Sequence, residues 1–262
     1  MKNLRVIKIG GNVVDDKYKL DRFLHDFAEI EGLKLLVHGG GKIATTISQS
    51  MGIEPKMTGG RRITNADTLR VVTMVYAGLV NKSIVASLQS IECNAFGLCG
   101  ADGGLIRSRK RAANPVNFGF VGDPIEELFG ADTARTLLES DLVPVVAPIT
   151  YDSTGQLLNT NADTVAQTVA VGLSSYYDVE LVYCFEKRGV LRDMNDDNSV
   201  IPHIDPLQYE KIKYEGIVAD GMIPKLDNAF KAIDSGVKKV VICNADELRT
   251  PGYGGTTLLK SI

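Results

Sequence analysis

Lys8, Gly10 and Gly11 close a short apolar run that begins at Leu4, and Gly39, Gly40 and Gly41 close a second one that spans Leu33 to Val37. A glycine turn between an apolar run and a helical pattern makes backbone N–H groups converge at a helix N-terminus, a geometry that binds anions. The early lysine and the repetition of the device point to phosphate. Neither turn has the spacing of a common nucleotide loop. Gly10 and Gly11 lack the third glycine of GxGxxG, and Lys42 is followed by Ile43, not by Ser or Thr. A tight strand-to-helix turn is the plain alternative for each.

Two further segments carry chemistry. Asn159, Thr160, Asn161, Ala162 and Asp163 follow a strand pattern and open a helix, so Asn161 is a natural N-cap. Asp163 then sits in the first turn, where the helix dipole favours a carboxylate. Its functional alternative is to hold lysines in place. Lys8 is one such lysine and Lys225 the candidate for the other. Lys225 follows Gly221 near a helix start, where the dipole repels a cation unless an anionic ligand offsets that cost.

The elements that position these groups follow from the hydrophobic pattern. Short apolar runs alternate with longer amphipathic ones, which is the pattern of an α/β fold with a largely parallel central sheet. Strands are expected at Arg5 to Ile9, Leu33 to Val37, Ala95 to Cys99, Val143 to Ala147, Val179 to Cys184 and Val240 to Cys243. Helices are expected at Leu20 to Ile30, Lys42 to Met51, Ala131 to Ser140, Asn161 to Leu173, Pro206 to Tyr214 and Met222 to Ser235. A further helix begins at Thr64, which with Asp67 reads as a capping box, and aligns Leu69, Val72, Val75, Leu79, Ile84 and Leu88 on one face. Pro55 to Ile63 reads as a hairpin or lid, and Asp102 to Asp123 as further hairpins. A boundary near Gly172 to Tyr177 divides the chain into lobes of residues 1–173 and 174–262.

At 262 residues, 44% of them hydrophobic, the chain is long enough for a full core. A net charge of −3 argues against a nucleic-acid surface. The one dense basic run, Arg107, Arg109, Lys110 and Arg111, fits an exposed hairpin, with a substrate-side charge as the alternative. Cys93, Cys99, Cys184 and Cys243 form no CxxC pair, so buried thiols are expected rather than a zinc or redox site. The chain opens on a strand-like segment without a signal peptide, and no apolar stretch approaches membrane-spanning length, so a cytoplasmic protein is expected. His25, His38 and His203 have structural readings, His38 as a brace for the glycine loop. A nicotinamide-dependent dehydrogenase fits poorly, because no acidic ribose partner is evident.

In their order and spacing these segments resemble the amino acid kinase family, and within it most closely the branch that acts on an N-acylated glutamate. The resemblance runs through Lys8 to Gly11, His38 to Gly41, Gly60 to Thr64, Gly97 to Gly103, Gly119 to Gly122, Asn159 to Asp163 and Asp220 to Lys225. It implies a three-layer sandwich with a largely parallel central sheet, the carbamate kinase-like fold. It also implies ATP-dependent phosphorylation of the side-chain carboxylate, a step of arginine biosynthesis. That nucleophile, with a pKa of about 4.3 in free glutamate, is ionised at neutral pH and needs no general base. Catalysis then rests on positioning and on cations around the transferring group.

By the same resemblance Lys8 and Lys225 stabilise the transition state and Asp163 orients them. Gly40 and Gly41 hold the reacting carboxylate, while Arg62 and Asn159 hold the α-carboxylate and the acylamide. ATP falls to the C-terminal lobe, with Gly10 and Gly11 near its phosphates and Glu186, Gly189, Ile217 and Ala219 around the nucleoside. Mg²⁺ accompanies it, with no protein metal ligand assigned. Arginine-inhibited members carry an extra N-terminal helix where this chain has only Met1 to Leu4, so the expectation is a homodimer without that control. The chain departs from the family at Glu186, Lys187, Arg188, Gly189 and Val190, preceded by Phe185, which stand where an Asp-Val-x-Gly-Val run is usual, and at Arg61, where an apolar residue is usual. Arg61 is either an exposed lid side chain or a cation for an additional carboxylate, as in N-succinylglutamate. A non-catalytic sensor of the same fold is the alternative from a different class, and retention of Lys8, Asp163 and Lys225 argues against it.

Overall fold

The computed structural model describes residues 1–218 and 222–260. In chain order its elements are β1 (Asn3–Ile9), α1 (Gly11–Val14), α2 (Lys17–Ala28), β2 (Leu33–Val37), α3 (Gly41–Ser50), β3 (Lys56–Thr58), β4 (Arg61–Ile63) and α4 (Ala66–Thr73). A π-helical stretch, Met74–Val80, joins α4 to α5 (Asn81–Gln89). Then come β5 (Ala95–Cys99), β6 (Ile106–Lys110), β7 (Gly122–Phe129), α6 (Ala131–Glu139), β8 (Val143–Ala147), β9 (Ile149–Tyr151), β10 (Leu157–Asn159) and α7 (Ala162–Leu173). The chain continues with β11 (Asp178–Phe185), β12 (His203–Ile204), α8 (Pro206–Tyr214), α9 (Ile223–Asp234), β13 (Lys239–Asn244) and β14 (Thr256–Leu258).

Eight strands form the main sheet in the order β12-β14-β13-β11-β1-β2-β8-β5. Within it β14 runs antiparallel to β13, while the pairs from β13 across to β5 are parallel. Both faces are covered, which is why the strands read as nearly unbroken apolar runs. In β1, Leu4 and Val6 enter the core on one face and Ile7 and Ile9 the core on the other. The first core takes its helical residues from α6 to α9, the second from α1 to α5 and the π stretch, so the molecule has three layers. A four-stranded sheet, β10-β9-β6-β7, and the β3–β4 hairpin stand apart from the main sheet.

Three expectations are corrected. Thr64 is not the helix cap: its N–H and C=O are bound to Phe118 and Phe120, and Asn65 caps α4 by accepting from the Thr68 N–H at 2.8 Å. Leu79 is 53% exposed, because the π-helical stretch widens the turn and rotates it off the buried stripe. Finally, the helical run Ala66–Gln89 is long and apolar enough, with a mean hydropathy of 1.5, to cross a membrane by length and composition. Its buried face of Leu69, Val72, Val75, Ile84 and Leu88 packs into the second core instead.

Gly172 of α7 has no room for a side chain, since a Cβ there would lie 2.1 Å from the Phe129 ring. Mid-helix Gly→Ala normally gains about 1 kcal/mol. Here Gly172→Ala should instead cost about 1–3 kcal/mol through overpacking. Thermal denaturation reads this as a lowered Tm, and a raised one would show that Phe129 yields.

Candidate active site

Strand β1 lies between β11 and β2, so the turns after all three emerge side by side at their carboxyl ends, where open α/β sheets bind ligands. Lys8, opposite Tyr183 on β11 and Val37 on β2, is 7% exposed and turns to the α7 side. Its Nζ is 2.7 Å from Asp163 Oδ1. Asp163 is held in the first turn of α7 because Asn161 caps it, accepting from the N–H groups of Asp163 and Thr164 at 2.8 and 3.1 Å. Lys225, in the first turn of α9, reaches the same place. Burial lowers its pKa and the Lys8 charge adds to that, while Asp163 opposes both. The two lysines and the carboxylate are thus brought together as expected.

On one side of this group lies a cavity of about 370 Å³ lined by Gly39 to Gly41, Arg61, Arg62, Arg111, Tyr76 and Asn159. Gly40 has φ +146°, and a Cβ on it would come within 3.2 Å of Val80 and 3.3 Å of Tyr76, so the π-helical turn shapes the loop from behind. His38, fully buried, fixes the loop from below. Its Nδ1 is 2.8 Å from the Gly39 carbonyl and its Nε2 is 3.1 Å from Asn81 Nδ2, which also donates to the Val145 carbonyl at 2.9 Å. Burial drops the His38 pKa to about 4, against the pull of the Gly39 carbonyl, so the ring is neutral. These partners assign the proton to Nδ1, with Nε2 accepting from Asn81.

Arg62 donates from Nη2 to the Gly41 carbonyl at 2.9 Å and to Thr45 Oγ1 at 2.8 Å. Its Nη1 is buried with no protein partner, which leaves a charged donor ready for an anionic ligand. Asn159 donates to Thr64 Oγ1 at 3.0 Å, which keeps its Oδ1 for accepting. Arg111 comes into the cavity from the end of β6, braced by Asp123 and the Phe118 ring. The basic run is therefore a hairpin, as its pattern suggested, and also supplies a charge to the site. Arg61 lines the cavity from the exposed hairpin tip.

On the other side a cleft of about 560 Å³ is lined by Gly10, Gly11, Asn12, Asp15, Lys42, Glu186, Gly189 and Lys225. Both cavities touch Gly11, Gly41, Met57 and Arg62, so they adjoin there, and Lys8 lines the larger one. Glu186 accepts from Asn12 Nδ2, and its carbonyl accepts from Asn244 Nδ2 at 2.6 Å. The two extra cations of this departure are matched by acids: Lys187 pairs with Asp197 at 2.8 Å and Arg188 with Glu247 at 2.9 Å. Gly189 lets the loop press on Thr256, whose Oγ1 would be 2.6 Å from an added Cβ. Ile217 packs against the core and lines neither cavity, and Ala219 lies outside the described residues. Asp15, which nothing in its sequence context marked, sits in the cleft with its pKa raised by burial, countered by the Ile43 N–H and Lys42. Among the described residues no group of three or more His, Cys, Asp or Glu side chains could hold a metal ion.

A largely parallel α/β sheet with glycine turns, a buried lysine and a half-buried one at its carboxyl edge defines a phosphotransferase class of site. The chain belongs to the amino acid kinase family, whose profile matches residues 3–244. It is 53% identical to the acetylglutamate kinase of Bacteroides fragilis over 259 residues, covering 99% of this chain and 98% of that one. It is 39% identical to the acetylglutamate kinase of Methanopyrus kandleri over 249 residues, 94% and 96% of the two chains. Among solved structures, carbamate kinase from Giardia lamblia bound to AMP-PNP superposes with a TM-score of 0.72 at 15% identity, covering 99% of each chain. N-acetylglutamate synthase from Neisseria gonorrhoeae gives a TM-score of 0.82 at 19% identity, over the whole of this chain and 60% of that one. Both likenesses are of fold.

The neutral His38 makes stability depend on pH. Its folded pKa is depressed to about 4 from 6.5, so the unfolded chain binds the proton first as pH falls. Stability is full above pH 6.5 and is lost on the way down to pH 4, by about 2 kcal/mol at pH 5. Urea denaturation at pH 7 and pH 5 should show that the wild type loses this much more than His38→Gln. Equal losses would contradict the buried neutral imidazole.

Proposed function

We infer that this chain is an acetylglutamate kinase, transferring the γ-phosphoryl group of ATP to the side-chain carboxylate of N-acetyl-L-glutamate in arginine biosynthesis. The observation that carries the reading is the meeting of Lys8 and Lys225 at the larger cleft around Asp163, which pairs with Lys8, in a cleft that shares Gly11, Gly41 and Arg62 with the smaller cavity. The 53% identity to acetylglutamate kinases over nearly the full chain supports the acceptor.

In this reading residues 1–173 hold the acceptor and 174–262 most of the nucleotide. The free first-turn N–H groups at Gly41 and the loop at Gly40 receive the reacting carboxylate. Arg62 Nη1 takes the α-carboxylate and Asn159 the acylamide N–H. Bound ATP supplies the phosphoryl group and Mg²⁺ neutralises its oxygens. The lining fits a polyanion, with Lys8, Lys42, Arg62, Lys187 and Lys225 set against Asp15 and Glu186. With no protein metal cage among the described residues, Mg²⁺ is held chiefly by the phosphates themselves. Gly10 and Gly11 offer amides to those phosphates, and Glu186 and Gly189 border the nucleoside. Lys8 from the strand and Lys225 from the helix place charge on the group in transit, and Asp163 orients Lys8 without taking a proton.

A second reading of the acyl group has its own support. Arg61 and Arg111 line the acceptor cavity beyond the one arginine that an α-carboxylate needs. They suit an acyl chain that ends in a carboxylate, such as succinyl. The chain also leaves Met74 and Leu79 of the long helix and Phe96 of edge strand β5 about half exposed. A second copy covering them gives a cytoplasmic homodimer, which sedimentation should show as twice the mass of the 262-residue chain.

Lys8→Ala and Lys225→Ala should each lower turnover by roughly 10² or more, the scale for losing a preorganised charge donor. Trapping the acyl phosphate with hydroxylamine across N-acetyl-, N-succinyl- and unmodified glutamate reports activity and acceptor together. Product from the acetyl compound supports the main reading, and preference for the succinyl compound supports the second. No product from any of the three would remove both.

A further inference from the structure

We propose that Phe185 is a positioning residue for phosphoryl transfer, its ring face gathering the ammonium groups of Lys8 and Lys225 around one point and keeping water from them. This rests on the reading that the two lysines act on the phosphoryl group. Lys225 Nζ lies 3.9 Å and Lys8 Nζ 5.2 Å from the centre of the same ring. Residues two apart on a strand share a face. Tyr183, opposite Lys8 in the register, therefore points to the Lys8 side, and Phe185 continues that row one step past the end of β1. The ring is fixed from behind by Tyr183, stacked at 6.0 Å with 16° between the planes. The Tyr183 hydroxyl in turn donates to the Asp163 backbone carbonyl at 3.3 Å.

The arrangement answers an electrostatic problem. Two ammonium groups held close repel each other, and Asp163 supplies one negative charge for both. A second carboxylate would cancel the remaining positive charge and would repel an incoming polyanion. The quadrupole of an aromatic face attracts cations without carrying net charge. The lysines are held together and the positive charge that Asp163 leaves uncancelled remains for the phosphoryl oxygens, in a setting where poor hydration strengthens that interaction. The ring stands immediately before Glu186, where the departure from the family pattern begins.

The test keeps shape constant while draining the ring. Phe185 is replaced in the full-length enzyme by mono-, di- and trifluorophenylalanine through nonsense suppression, and kcat and KM for both substrates are measured with acetylglutamate and ATP. The expected result is a stepwise fall in kcat, reaching roughly 10-fold for the trifluoro ring, with KM values unchanged within about twofold. Phe185→Trp, which keeps an aromatic face, should retain more activity than Phe185→Leu. A flat fluorinated series beside an impaired Phe185→Leu enzyme would mean that the side chain only fills space, and overturns the proposal. If Lys8→Ala and Lys225→Ala keep normal turnover, the catalytic reading of the lysines fails instead, which is a separate outcome.

Discussion

The site is organised around a repulsion that has to be held in check. Lys8 and Lys225 come from opposite ends of the chain, are taken largely out of water, and face one carboxylate between them. Left alone, such a pair would swing apart into solvent. The surrounding fold prevents this. Lys8 is clamped in a central strand with neighbours on each side, Asp163 is pinned by a capped helix start, and Lys225 is seated in the first turn of α9. The lowered pKa of Lys225 reflects this tension, which an anionic ligand relieves. The site is therefore built for charge it does not itself contain.

The acceptor loop obeys a different constraint, that of shape. Gly40 must adopt a backbone angle closed to most residues while lying against Tyr76 and Val80, and it does so because the helix behind it widens into a π turn. His38 ties the loop to Asn81 just beyond that turn, and Asn81 is tied to β8 through Val145. The loop, the long helix and the sheet are therefore tied together through buried hydrogen bonds. The same widened turn rotates Leu79 into the open, so a single helical irregularity shapes the acceptor loop and sets the exposed apolar face.

What was legible in the sequence follows from which forces are local. The strands at Leu33–Val37 and Val143–Ala147, buried on both faces, have the bounds their apolar runs suggested, because such burial leaves little choice of residue. The Asn161 cap was legible for the same reason, since its partners lie within three residues. Thr64 misled because a distant segment, Phe118 to Phe120, takes its backbone groups, and no local pattern records that. Leu79 misled because the helical period changes beneath it. Arg111 reaches the cavity from a hairpin, and its approach depends on Asp123 and Phe118, which bring it in by tertiary contact. Ile217, placed near the nucleoside by the resemblance alone, is partly buried against the first core.

The departures from the family pattern in the loop after β11 become coherent once their partners are seen. Lys187 and Arg188 look like added positive charge beside a nucleotide, yet each is paired with an acid, Asp197 and Glu247, so their addition leaves the loop's net charge nearly unchanged. Glu186 is held on both sides, by Asn12 across the cleft and by Asn244 through its backbone. What remains uncompensated in this segment is Phe185, a residue without charge placed against two charges. Immediately before these paired residues, the aromatic face of Phe185 touches both lysines.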